Sequence, residues 1–131
     1  NALQGKVSRL EGGGDGMLDF TYIKDLVNGM IRSLVFHCGP GSSQTFNITY
    51  GNARTISDLF DIVKKQIPLA KAKITKRSVD KPVRGTLSIN RAREVLDYTP
   101  SWSLEEGYSQ YIKWCVKKWQ DIENSNGVNN L

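Results

Sequence analysis

Apolar residues in this chain recur with two different periods, and the change of period marks its elements. Over residues 25–35 the apolar positions are Leu26, Val27, Met30, Ile31, Leu34 and Val35. On a helix they cover nearly half the circumference, which predicts a buried stripe. Phe20 to Tyr22 or Ile23, just before, predicts a short strand running into that helix. Asp25 then falls in the first turn, where a carboxylate meets the positive end of the helix dipole. Phe46, Ile48 and Tyr50 alternate with Thr45, Asn47 and Thr49, the period of a strand. Gly51-Asn52 turns the chain. Ile56, Leu59, Phe60, Val63 and Ile67 then predict the buried face of a second helix, capped by Thr55 or Ser57 and ended by Pro68.

Residues 72–79 read as an exposed strand, with Ile74 among charged neighbours. Asn90 is placed to cap a two-turn helix carrying Ala92, Val95 and Leu96, which Tyr98-Thr99-Pro100 stops. Ser103 and Glu106 have capping-box spacing. They open a last helix with Leu104, Tyr108, Ile112, Cys115, Trp119 and Ile122 on one side. Between these lie weaker signals. Residues 1–4 resemble a helix end broken at Gly5, residues 7–10 a short strand, residues 37–43 a loop, and residues 86–89 a short extended piece. Four asparagines and a glycine over residues 123–131 predict a frayed tail. The expected organisation is one unit over residues 1–123 and a flexible tail over 124–131. The fold class is α/β, with mixed helices and short strands that depend on packing against more chain.

A length of 131 residues suffices for one core. No apolar run approaches the ~20 residues that span a bilayer, and no leader pattern opens the chain. The first residue is Asn rather than Met, consistent with a fragment or a processed chain. Cys38 and Cys115 make no disulfide framework. Cys115 falls on a helix stripe where a reduced thiol is usual, so a reducing, cytoplasmic compartment is expected. A net charge of +5 admits either a solvated basic surface or an anionic partner. The basic residues are spread out, mildly concentrated over residues 71–84, without the aromatic interleaving of a nucleic-acid site.

Several motifs fail on inspection. The cluster Gly12-Gly13-Gly14-Asp15-Gly16 is not a dinucleotide fingerprint, because Met17 stands where the last glycine belongs. No lysine follows it at P-loop spacing. None of Tyr22, Tyr50, Tyr98, Tyr108 and Tyr111 has a lysine four residues on. Ser78 and Lys81 fit S-x-x-K without its companion motifs. His37 lacks both triad partners and metal-ligand spacing. Trp102, Trp114 and Trp119 gather near the last helix, where packing is the commoner use of aromatics. No catalytic or metal-binding residue emerges.

Four stretches recur in order. Asp19-Phe20-Thr21-Tyr22-Ile23-Lys24-Asp25 resembles D-F-x-Y-V-x-D. Arg84-Gly85-Thr86-Leu87-Ser88-Ile89-Asn90-Arg91-Ala92 is similar to R-G-T-L-x-I-x-K-A. Glu94-Val95-Leu96-Asp97-Tyr98-Thr99-Pro100 resembles E-L-L-G-Y-x-P, and Ser103-Leu104-Glu105-Glu106-Gly107 resembles S-L-E-E-G. Together they resemble the extended short-chain dehydrogenase/reductase family, the NAD-dependent sugar-nucleotide epimerases and dehydratases. The likeness implies the C-terminal, substrate-binding portion of an NAD(P)-binding Rossmann-type enzyme. The parent would oxidise a sugar hydroxyl, then epimerise or eliminate, with polysaccharide biosynthesis as the setting.

The resemblance further implies that NAD or NADP is bound by a missing N-terminal half and not by this chain. Ser8, Arg9, Leu10 and Glu11 fall on the strand that contacts the nucleotide base, largely through backbone groups. Arg77 and Asp80 fall on an R-P-G-D-like stretch that holds the diphosphate and sugar, and Arg84 is a second phosphate candidate. The usual arginine before D-F is replaced by Leu18. Implied partners are a nucleotide-diphosphate sugar, the missing Rossmann half and a second copy of the chain; neither membrane nor nucleic acid is expected. The alternatives are a stand-alone module for an anionic ligand and a basic nucleic-acid-binding domain, neither with catalysis.

Overall fold

The structure is a computed structural model that describes residues 1–37, 39–41 and 43–128. Cys38, Ser42 and residues 129–131 lie outside the described residues, as do parts of the expected loop and tail. A short 3-10 turn, Ala2–Gln4, leads into β1, Val7–Glu11. A second 3-10 turn, Gly12–Gly14, precedes β2, Met17–Leu18. Then come α1, Ile23–Val35; β3, Arg54–Thr55; α2, Ile56–Gln66; and β4, Lys71–Thr75. The chain ends with α3, Asn90–Leu96, and α4, Leu104–Val128. β1 pairs with β4 in parallel, Val7 opposite Lys71 and Glu11 opposite Thr75. β2 pairs antiparallel with β3, Met17 opposite Thr55.

Both capping boxes form. Thr55 N donates to Asp58 Oδ2 at 3.0 Å, and Asp58 N donates to Thr55 Oγ1 at 3.0 Å. Ser103 N donates to Glu106 Oε2 at 3.1 Å, and Glu106 N donates to Ser103 Oγ at 3.2 Å. Arg54 joins the two helix starts, with Asp58 at 3.2 Å and Glu105 at 3.1 Å. Asn90 is the first residue of α3 rather than its cap; Ile89 holds that place.

The core gathers Ile89, Ala92, Leu96 and Tyr98, with Phe36, Phe46 and Ile48 packed against them. The face that α1 turns inward is the reverse of the one predicted. Asp25 and Gly29 are its buried residues, while Ile31 is 56%, Val35 77% and Leu34 82% exposed. Two contacts fix this orientation. A Cβ on Gly29 would lie 2.3 Å from Ile48 Cγ2, so only glycine admits the close approach. Asp25, 4% exposed, accepts hydrogen bonds from Ser101 N at 3.0 Å, Ser101 Oγ at 3.1 Å and Trp102 N at 3.0 Å.

Two predicted strands are absent. Residues 20–22 join no ladder; the short strand there is β2, a few residues earlier. Residues 45–50 join none either, because none of the described strands lies alongside. Their alternation reports burial instead, with Phe46 and Ile48 on the core. The strand predicted over residues 72–79 is the shorter β4, with Ile74 exposed as expected. The helix expected to stop near residue 123 continues to Val128, since Asn and Ser weaken a helix without breaking it.

Replacing Asp25 with Ala leaves two part-buried N–H donors without their acceptor. It should lower unfolding stability by about 2–4 kcal/mol in chemical denaturation. Tyr98 is fully buried and donates its hydroxyl to Thr49 O at 3.1 Å. Burial, with the charges of Asp25 and Asp19 adding, pushes its phenol up to about 12. The folded state holds that proton more tightly than the unfolded one. Its contribution is therefore complete below about pH 10 and lost as pH rises toward 12. Tyr98→Phe should be about 1 kcal/mol less stable at neutral pH. It should also lose less stability than the parent between pH 10 and 12, measured by denaturation across that range.

Candidate functional site

β1 and β4 run parallel and end side by side, Glu11 opposite Thr75. In sheets of this kind ligands bind beyond the carboxyl ends of the strands. After Glu11 the chain reverses through Gly12, Gly13 and Gly14, whose φ angles of 58°, 74° and 87° lie in the left-handed region that glycine adopts without steric cost. After Thr75 the chain runs on from β4 through residues 76–84. Between them lies a cavity of about 590 Å³, bordered by Arg9, Glu11, Gly12, Arg77, Lys81 and Arg84.

The charges in this cavity are unbalanced. Lys81 Nζ lies 2.7 Å from Glu11 Oε2. The Lys81 ammonium holds the Glu11 carboxyl below its ordinary value against the opposing effect of burial, and the Ser78 backbone N–H adds to the lowering. Arg9, Arg77 and Arg84 have no hydrogen-bonded or ion-paired partner among the described residues. Three arginines therefore border one space without an ion-paired acid; Asp15 is the other carboxylate on its lining, so basic side chains outnumber acidic ones there.

A second cavity of about 450 Å³ lies on the other side of β1, against α2 and α4. Leu59, Phe60, Val63 and Ile112 border it, so the predicted buried faces of these helices meet across a gap.

No family model matches the chain. UDP-glucuronate 4-epimerase 1 of Arabidopsis thaliana is 30% identical over 132 residues, 87% of this chain and 30% of its own length. An epimerase of Methanothermobacter thermautotrophicus superposes with a TM-score of 0.82 at 25% identity, over 95% of this chain and 37% of that one. The Bacillus cereus UDP-glucuronic acid 4-epimerase, solved with UDP-glucuronic acid and NAD, superposes with a TM-score of 0.74 at 26% identity, over 86% of this chain and 37% of that one. The chain belongs to the extended short-chain dehydrogenase/reductase family and matches its C-terminal portion. It spans roughly a third of the length of the curated relatives it matches.

The residues that the family likeness singled out divide between the two faces of β1. Arg9 and Glu11 point to the charged cavity, where Arg77 and Arg84 join them from the segment after β4. Ser8 and Leu10 border the apolar cavity on the opposite side, which Arg9 also touches, and Leu10 is buried. This is the period-two alternation of a strand. Asp80 sits exposed on the turn in which Lys81 N donates to Ser78 O at 3.4 Å, and it borders neither cavity. Sequence reasoning passed over Lys81, whose role needs the pairing of β1 with β4. Leu18, where family members carry arginine, borders the charged cavity.

Glu11→Gln removes the charge that ties residue 81 to the end of β1. Amide exchange across residues 76–84 should quicken at neutral pH while α4 is unaffected, read by exchange with mass detection. In the parent, the tie should hold above the ordinary glutamate range and loosen only as pH falls through the depressed Glu11 value.

Proposed function

We propose that this chain forms the nucleotide-sugar-binding side of an NAD-dependent sugar-nucleotide epimerase or dehydratase. The observation that carries this reading is the set of three arginines, Arg9, Arg77 and Arg84, that border one cavity without an ion-paired partner among the described residues. A guanidinium presents two parallel N–H donors to phosphate oxygens, and a diphosphate offers two such groups in sequence. Glu11 and the backbone at the end of β1 then lie where a base or sugar hydroxyl would be met. The Bacillus cereus relative, crystallised with UDP-glucuronic acid and NAD, supports a nucleotide-diphosphate sugar as the ligand class. Residues 1–123 carry every side chain in this assignment.

The coenzyme does not fit this chain's own residues. Met17 breaks the glycine fingerprint, and none of the tyrosines has a lysine four residues on. NAD or NADP is therefore assigned to an N-terminal Rossmann half, and the work assigned to this chain is to bind and orient the sugar nucleotide. That half also fits the exposed surface. Val27, Met30, Ile31, Leu34 and Val35 form one apolar stripe on α1, and residues 45–50 lie extended without a ladder. An apolar helix face beside an unpaired extended segment suits the flank of a larger sheet. A free thiol at Cys115 suits a reducing compartment.

The test uses the full-length protein. A charge-assisted hydrogen bond contributes about 1.5–3 kcal/mol. Arg77→Ala should therefore weaken UDP binding roughly ten- to a hundredfold by calorimetry, with affinity for NAD unchanged. Unaltered UDP affinity would reduce Arg77 to a surface charge and move the assignment to Arg84.

A further inference from the structure

We infer that Gly12 is a positioning residue for Arg77: the space left by its absent side chain is the seat in which the Arg77 stem lies. The inference rests on the reading of the charged cavity given above. A Cβ built on Gly12 would stand 3.2 Å from Arg77 Cβ and 3.7 Å from its Cγ and Cδ. The nearest of these atoms is the β-carbon, which the backbone fixes. Arg77 thus cannot make room by swinging its side chain; its backbone would have to give by a few tenths of an ångström. The guanidinium has no hydrogen-bonded or ion-paired partner among the described residues. Packing of the stem is therefore what sets its direction. Glu11 and Lys81 tie down the far end of the same segment at 2.7 Å, so Arg77 is held between a tether and a seat.

The neighbouring glycines provide an internal control. Gly13 has φ +74°, and its added Cβ would meet only the Asp15 carboxylate, at 3.7 Å or farther. Gly14 has φ +87°, and its added Cβ would press on Ser57 N at 3.0 Å, at the start of α2. Gly12, with φ +58°, thus shares its backbone strain with Gly13, but the contact with Arg77 is its own. Alanine at either position carries a comparable left-handed cost.

The experiment compares Gly12→Ala, Gly13→Ala, Arg77→Ala and the Gly12→Ala/Arg77→Ala double variant in the full-length protein. It uses calorimetric titration with UDP and amide exchange over residues 76–84. Gly12→Ala should weaken UDP about tenfold and Arg77→Ala roughly ten- to a hundredfold, and the double variant should be no weaker than Arg77→Ala alone. Gly13→Ala should stay within about twofold of the parent. Exchange over residues 76–84 should quicken in Gly12→Ala and not in Gly13→Ala. A double variant that loses the product of the two single effects would overturn the inference, as would a Gly13→Ala protein as weak as Gly12→Ala. If Arg77→Ala binds UDP like the parent, the phosphate assignment moves to Arg84 and the exchange arm decides the seat alone. Faster exchange confined to Gly12→Ala upholds it, and equal exchange in the two glycine variants overturns it.

Discussion

Two aspartates organise this chain by accepting backbone hydrogen bonds from segments far away in sequence. Asp25 takes the amides of Ser101 and Trp102, binding the start of α1 to the approach of α4. Asp19 takes Gly51 N at 3.0 Å, Leu87 N at 3.2 Å and the Thr49 hydroxyl at 3.1 Å. Strand ladders are short here, and a buried or half-buried N–H needs a partner. A carboxylate accepts several donors at once and binds each more strongly than a neutral carbonyl does. Three irregular segments are thus brought together where a sheet would otherwise be needed. Tyr22 and Trp102, with ring centroids 4.8 Å apart, pack together across the same two segments.

This arrangement explains both the orientation of α1 and the position of the cavity. With Asp25 and Gly29 turned inward, the apolar stripe of α1 must face out. With Asp19 clipped to residues 49–51 and 87, β2 is held against β3, and the glycine turn is pinned between β1 and α2. The segment after β4 passes the end of β1, which brings Arg77 and Lys81 to the same cavity as Arg9 and Glu11.

What the sequence made legible were the features that depend on local spacing. Thr55 with Asp58 and Ser103 with Glu106 announce their helices because a capping box needs only four consecutive residues. The period-two split of Ser8 and Leu10 from Arg9 and Glu11 was implicit in the strand. The errors arose where a pattern records burial and the burying surface lies elsewhere. The stripe on α1 and the alternation over residues 45–50 both promise packing partners, yet the described residues leave most of the first exposed and cover only one side of the second. Asp25 does lie in the first turn of α1, as its position predicts, but the partners that hold it buried stand 76 and 77 positions away. Arg77 was found through family resemblance, whereas Lys81 and the seat at Gly12 need the parallel pairing before they mean anything.

The parallel pairing has a consequence for how the molecule comes together. A hairpin needs a two-residue turn, but Val7 meets Lys71 only after the chain has travelled through α1 and α2. Bringing such distant ends together costs entropy that no local contact repays in advance. The helices can assemble first, and the ends of β1 and β4 meet only when nearly everything between them is in place. Whatever occupies the space between those ends therefore registers on the completed topology of the chain, not on any one segment of it.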